Sequence, residues 1–369
     1  MSRCDEVQEV VLQEPCDMHV HVREGAMCEL VTPMVRDGGV SVAYVMPNLQ
    51  PPIVTVDRVV QYRARLQELA PQTTFLMSLY LSPELTPEVI HEAARVRAVH
   101  GVKCYPAGVT TNSDQGVDPN DFSQFYPVFE AMQEEGLVLN LHGEKPSSKG
   151  DCDGEGDGIN VLNAEEKFLP ALEKLHADFP KLRIVLEHCT TAKAIELVRK
   201  LNQQVPSDSD PVVAATITAH HLLLTVDDWA GDPVNFCKPV AKLSHDRRAL
   251  VSAATSGERC FFFGSDSAPH PVENKQRYRG VSAGIFTQRY ALAYVAEVFE
   301  AQGRLDTLQK FVSDNARRFY RVAGEAKNTV TLYRRDHVVP ELVTNNSQTV
   351  SVVPFMPGET LHWDIRWQK

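Results

Sequence analysis

The chain has no apolar run long enough to span a bilayer, no Cys-x-x-Cys pair, no internal repeat and no low-complexity tract. It also lacks an excess of positive charge, with 37 Lys and Arg against 48 Asp and Glu. The first absence excludes a helical membrane span. The second, with eight cysteines scattered along the chain, fits reduced thiols in the cytosol better than a disulfide framework. Cys104 and Cys189 fall beside candidate site residues and read as small core residues. A net charge of -11 argues against nucleic acid or an anionic membrane as partner. A small anion could still bind at local basic groups. Met1 to Glu6 shows no apolar core of a leader, so no signal peptide is expected and a cytoplasmic location is.

What is present is a soluble, globular composition, 43% hydrophobic and 23% charged over 369 residues. That length holds one large domain or two smaller ones. Eight apolar, β-branched runs stand out, at about 16–22, 40–46, 73–81, 98–104, 137–142, 182–188, 212–218 and 259–264. Helical patterns separate most of them: Val56 to Leu69, Pro87 to Val99, Phe122 to Glu135 before Gly136, Ala164 to Phe179, Thr191 to Asn202 and Ser244 to Gly257. Strand and helix alternating eight times predict an α/β fold, a (β/α)8 TIM barrel. Two further helices are expected at about 282–302 and 304–321. The tail, 326–369, has short strand-like pieces, a Pro357-Gly358 turn and two Trp. It is too short to bury a core alone, so it reads as an extension packed on the barrel (1–325) and part of the same domain.

The first of the eight runs organises the rest. In Cys16-Asp17-Met18-His19-Val20-His21-Val22-Arg23, period-two alternation puts His19 and His21 on one face, with Met18, Val20 and Val22 on the other. Two imidazoles at the C-terminal end of a strand are half of a zinc-type metal site, or two ordinary strand histidines. In such barrels the chemistry sits at the strand C-termini. Polar groups recur there: Arg23 after the first run, Asn48 after the second and Lys103 in the fourth. His142 ends the fifth, His188 the sixth, and Asp266 and His270 follow the eighth.

Four histidines and an aspartate suffice for two metals, but two cations need an anion between them, and no carboxylate is placed to supply it. Lys103 sits there instead. A buried, deprotonated lysine can add CO2 to form a carbamate. A lysine here could equally bind an anion or snorkel to the surface. Arg23, two residues past His21, shares its face and could hold a carboxylate bidentately, or pair with a local Asp or Glu. The Gly/Thr/Asn-rich loop 108–113 suits a mobile lid or an ordinary surface loop. His220 and His221 follow the seventh strand and read as supporting or structural groups rather than direct site residues. His91, His100, His176, His245, His337 and His362 have no constellation around them.

These motifs resemble the amidohydrolase superfamily and, within it, the dihydroorotases of the separate, shorter-chain type. The resemblance runs from Asp17–Arg23 through Met46-Pro47-Asn48, Val102–Gly108, Leu141–Glu144, Leu186-Glu187-His188 and Phe236-Cys237-Lys238-Pro239. It continues in Gly264-Ser265-Asp266-Ser267-Ala268-Pro269-His270 and the tail stretch Val353–Leu361. One departure is Asn315-Ala316-Arg317-Arg318-Phe319-Tyr320, where the pattern has Asn-Gly-Pro before the aromatic pair. It bears on packing rather than chemistry.

The resemblance implies reversible closure of N-carbamoyl-L-aspartate to L-dihydroorotate in pyrimidine synthesis, by a hydroxide bridging two zinc ions. It assigns His19, His21 and Asp266 to one zinc and His142 and His188 to the other. Lys103, as N6-carboxylysine, bridges them, and Asp266 also shuttles the proton. Arg23, Asn48, His270 and the backbone near Ala283 would hold the substrate, with Thr110 and Thr111 closing from the loop. A homodimer is implied by the resemblance alone. Rival readings are a hydantoinase or allantoinase, which Arg23 and Asn48 oppose; a single-metal deaminase, which leaves Lys103 idle; and an inactive barrel kept as a binding partner, which should have lost ligands.

Overall fold

The computed structural model describes residues 8–147, 158–206, 209–322 and 327–368. The expected 325/326 boundary and the first six residues lie outside them. Strands β1 (Glu9–Gln13) and β2 (Cys16–Val20) open the chain. They are followed by β3 (Val42–Val45), β4 (Thr74–Tyr80), β5 (Val99–Cys104), β6 (Val138–His142), β7 (Ile184–Glu187), β8 (Val213–Ile217) and β9 (Phe261–Phe263). β2 to β9 form one eight-stranded sheet in sequence order, every neighbouring pair parallel. It curls into a barrel closed between β2 and β9 by the Val20–Ser267 bridge, with His21 N–H donating to the Ser267 carbonyl at 3.0 Å. The buried Asp17 carboxylate reinforces that seam, accepting from Ser265 N–H at 2.7 Å. All eight predicted strands are present, each shorter than its apolar run.

The helices form where the sequence caps them. Thr55 accepts from Arg58 N–H to start Val56–Leu69, and Thr191 accepts from Ala194 N–H to start Ala192–Leu201. Gly136, at φ 72°, ends Tyr126–Glu135 in the left-handed conformation that glycine adopts at least cost. One helical expectation is wrong. Residues 282–287 form no helix: Ile285 bridges Ser267, Phe286 bridges Pro354, and the α-helix starts only at Ala291. A Cβ at Gly284 would lie 2.5 Å from the Ala268 carbonyl oxygen, so this segment presses on β9's exit too closely for a helix there. The 304–321 stretch is likewise broken into a 3-10 turn, a π segment (Lys310–Asp314) and the helix Asn315–Phe319.

Strict alternation also fails in β2. Asp17 pairs with Ala43 but Val20 pairs with Val45, so β2 carries one residue more than β3 over that step. Such a bulge turns two successive side chains to one side. Met18 therefore joins the interior cluster with Tyr44 and Phe262, while Val20 and Val22 pack outside among the helices. The expected grouping of Met18 with Val20 and Val22 is corrected by that extra residue.

The tail forms β10 (Thr329–Val338), β11 (Val343–Thr344), β12 (Ser351–Val352) and β13 (Thr360–Trp367). β10 pairs antiparallel with both β13 and β1, so the first described strand joins a sheet made mainly by the last residues. Sequence reading missed β1 and β13, because edge strands of a small sheet alternate weakly. Helix Asn315–Phe319 plugs the barrel floor, where Phe319 and Tyr320 pack on Phe262. The unusual stretch around Asn315 thus packs well, and Asn315 Nδ2 donates to the Glu258 and Phe261 carbonyls.

Glu14 ties these parts together. Its buried carboxylate accepts from Ser41 Oγ (2.8 Å), from the backbone N–H of Lys327 (2.7 Å) and Asn328 (2.8 Å), and from Asn328 Nδ2 (2.9 Å). Burial pushes its pKa up, but these donors together outweigh burial and hold it below the usual value. Glu14→Ala should therefore cost about 2–4 kcal/mol, seen as a lower Tm at neutral pH. Because the folded pKa is lowered, the carboxylate's contribution is present above the unfolded pKa and is lost as pH falls through the folded one. The Tm gap between variant and wild type should narrow on acidification.

Candidate active site

At the C-terminal mouth of the barrel, His19 Nε2 and His21 Nε2 both approach Asp266 Oδ1, at 3.3 and 3.1 Å. Each imidazole is held from behind at Nδ1, His19 by Glu187 Oε2 (2.9 Å) and His21 by Asn48 Oδ1 (2.8 Å). Nδ1–H donated to such a partner leaves Nε2 as a lone-pair donor, the arrangement that orients metal-ligating histidines. Burial lowers the pKa of both rings, which favours the neutral, ligating form.

A second pair faces them. The His142 and His188 ring centres are 4.7 Å apart, and His188 lies 5.0 Å from His19. Glu144 Oε2 anchors His142 at Nε2 (2.8 Å), leaving Nδ1 for a ligand. His188 Nδ1 is buried and has no hydrogen-bond partner among the described residues. Lys103 is fully buried, its charge reaches all four imidazoles, and its Nζ lies 5.0 Å from the Tyr105 ring centre with no hydrogen-bond partner among the described residues. Burial pulls its pKa down to about 8. Two such nitrogens among converging imidazoles and a carboxylate make a donor set that could hold metal ions.

The missing bridging carboxylate has a partial answer in the interior. Glu187 does point into the barrel and its charge reaches Lys103, but its oxygens are taken by His19, by Thr216 Oγ1 (2.6 Å) and by Asn140 Nδ2 (2.7 Å). Asn140 in turn bonds Tyr44 and Tyr320. A polar column thus runs from the plugged floor to His19. Glu187, Asn140, Glu144, Tyr44 and Tyr320 had been given no role. For Asn140 the signal was there, since it precedes His142 by two residues and shares its face.

The pocket above is lined by His19, His21, Arg23, Asn48, Tyr105, Thr110, Thr111, His142, His188, Lys238, Asp266, Ala268, Ala283 and Gly284. Lys103, fully buried, is not among the lining residues. His270 stands one layer out, its Nε2 2.9 Å from the Ala283 carbonyl and 3.3 Å from Arg23 Nη2. The non-helical course of 282–287 brings the Ala283 backbone to this wall. Arg23 donates from Nε to the Pro269 carbonyl (3.1 Å), and among the described residues no carboxylate pairs with it. Asn48 Nδ2 donates to the Thr111 carbonyl (3.0 Å) and Asn112 Nδ2 to the Asn48 carbonyl (2.8 Å), so the 108–113 loop lies docked on the pocket. Three site residues, Arg23, His188 and Asp266, have φ of 58°, 40° and 45°, left-handed values that cost a non-glycine residue and cluster at working sites. Lys238, Tyr105, Ala268 and Gly284 are pocket residues that sequence reasoning did not find.

His220 and His221 do not line the pocket. His221 is held structurally, with Nδ1 3.0 Å from Thr218 Oγ1 and Nε2 2.9 Å from the Pro239 carbonyl. A larger hollow beside Arg36, Arg289, Tyr290 and Trp367 contains none of the predicted site residues.

The amidohydrolase family profile matches residues 61–322. The dihydroorotase of Saccharomyces cerevisiae is 60% identical over 98% of this chain and 99% of its own. The chain belongs to the dihydroorotase family. Within it, a probable dihydroorotase of Schizosaccharomyces pombe is 52% identical, covering 95% of this chain and 97% of the relative. The crystal structure of the S. cerevisiae family member, solved with 5-fluoroorotic acid, superposes with a TM-score of 0.94 over 98% of this chain and 99% of that one. Members of this family are hydrolases, and the chain is one.

Glu187→Gln keeps the shape beneath His19 but removes the charge that holds its Nδ1–H. Zinc affinity should fall by about 10–100-fold, measured as metal retained against a competing chelator.

Proposed function

We propose that this chain interconverts N-carbamoyl-L-aspartate and L-dihydroorotate, using two zinc ions bridged by a carbamylated Lys103. The observation that carries the reading is Lys103: a buried amine within charge reach of four imidazoles, with no hydrogen-bond partner among the described residues and its pKa drawn down to about 8. At neutral pH such an amine deprotonates far more readily than an ordinary lysine. Its nitrogen lone pair can then attack the carbon of CO2, lose a proton and become a carbamate anion. That supplies the bridging charge which Glu187, fully engaged, does not.

His19, His21 and Asp266 would hold one ion, and His142 and His188 the other. Such ions, when bound, lower the pKa of water and polarise a carbonyl oxygen. The remaining work falls to the protein. In ring opening, Asp266 accepts a proton and returns it to the ring nitrogen as the amide bond breaks; closure reverses this. Its Oδ1 faces the two imidazoles, so Oδ2 is the oxygen suited to that transfer. Burial raises the Asp266 pKa, which makes the carboxylate a better base. Arg23, with no acidic partner among the described residues, offers its fork to the substrate carboxylate. Asn48, His270 and the Ala283 backbone complete that side, while Thr110 and Thr111 close from the loop. Burial and the Arg23 charge push the His270 pKa down to about 3, so its ring is neutral. A homodimer in the cytoplasm completes the proposal. No described helix is long and apolar enough to cross a membrane.

Ring opening of L-dihydroorotate, followed by loss of ultraviolet absorbance on zinc-replete protein, tests the substrate. Lys103→Ala should lose activity by about 100-fold or more and regain part of it with added short carboxylic acids. Bound zinc without turnover in the wild type would move the reading to another cyclic amide. Arg23→Lys should raise KM about 10-fold or more with a smaller change in kcat, because a point charge replaces a bidentate fork.

A further inference from the structure

Lys275 closes the short helix Val272–Lys275, just beyond the strand exit that carries Asp266. It is 4% exposed, and among the described residues no carboxylate pairs with it. Its ammonium instead donates to three backbone carbonyls: Phe236 at 2.8 Å, Ser282 at 3.1 Å and Gly284 at 2.8 Å. Three protons meet three acceptors, which is how a buried lysine without a counter-ion is tolerated.

The identity of those carbonyls matters more than their number. Phe236 precedes Cys237 and Lys238, and Lys238 lines the pocket. Ser282 and Gly284 flank Ala283, which lines the opposite part of the same wall and meets His270 through its carbonyl. Gly284 N–H also donates to the Phe236 carbonyl at 3.0 Å. Two chain segments about 46 residues apart thus meet on one ammonium. Neither segment belongs to a strand or helix there, so no ladder holds them in register.

We propose that Lys275 is a positioning residue, a cationic clamp that sets the backbone of Lys238 and Ala283 at a fixed separation against the substrate ring. It touches neither substrate nor metal donors. It acts through the wall it ties together, and it rests on the cyclic-amide reading above.

The test uses zinc-loaded Lys275→Met, which keeps the chain length without donors, and Lys275→Gln, which keeps two donors. With L-dihydroorotate, KM should rise about 10-fold or more for Met and less for Gln, while kcat changes less than about 3-fold. Zinc content should match the wild type. Amide hydrogen exchange in the holoenzyme should quicken over 279–286 and leave β5 and β6 unchanged. An unaltered KM with kcat reduced only by the inactive fraction would overturn the clamp and leave Lys275 a folding residue. Unaltered exchange over 279–286 in the Gln variant would overturn it as well. A wild type that binds zinc but does not open dihydroorotate would remove the substrate reading, and the exchange comparison would still decide the clamp.

Discussion

The imidazole of His19 is gripped at Nδ1 by the Glu187 carboxylate at 2.9 Å, which turns its Nε2 toward Asp266 Oδ1, 3.3 Å away. The structure depends on that grip more than on any other contact. Glu187 comes from the sixth barrel strand and Asp266 from beyond the eighth, while His19 stands on the first. The contact therefore exists only when the barrel closes. The same closure is what allows a polar column to be buried at all. Glu187, Asn140, Tyr44, Tyr320 and Thr216 are each satisfied by another member of the chain. A column with one member missing would leave buried groups unpaired, at a cost larger than the bonds themselves contribute.

Around that column the protein separates rigid parts from adaptable ones. The barrel floor is plugged by Phe319 and Tyr320, and the N- and C-terminal segments are stitched together through Glu14 and the β1–β10–β13 sheet. The mouth is built differently. Its walls are irregular segments held by single side chains, as Asn48 holds the 108–113 loop and Lys275 holds 236 and 282–284. Left-handed backbone at Arg23, His188 and Asp266 turns their side chains inward at the strand exits. A substrate site needs such local strain, and a rigid barrel beneath it supplies the stability to hold it.

Much of this was legible in the chain as written. Eight apolar runs separated by capped helices identify the barrel, because burial on both faces leaves continuous β-branched strands and capping leaves Thr, Pro and Gly at the helix ends. Strand exits then mark where chemistry must gather, and His19, His21, Asn48, His142, His188 and Asp266 do converge there. Legibility failed where local rules are overridden. Period-two counting missed the β2 bulge, which sends Met18 inward. Helical spacing at 282–302 hid a non-helical start, because the close approach to Ala268 is invisible in one dimension.

The sequence by itself determined the barrel, the strand-end donors and the odd placement of a lysine among them, since periodicity and residue type are local properties. Only the tertiary structure decided which groups serve which. It placed Glu187 behind His19 and left Lys103 Nζ with no hydrogen-bond partner among the described residues. It also found three backbone carbonyls for Lys275. His19 and Glu187 are 168 positions apart and Lys275 and Phe236 are 39 apart, so such partners are chosen by the closure of the barrel, not by any spacing along the chain.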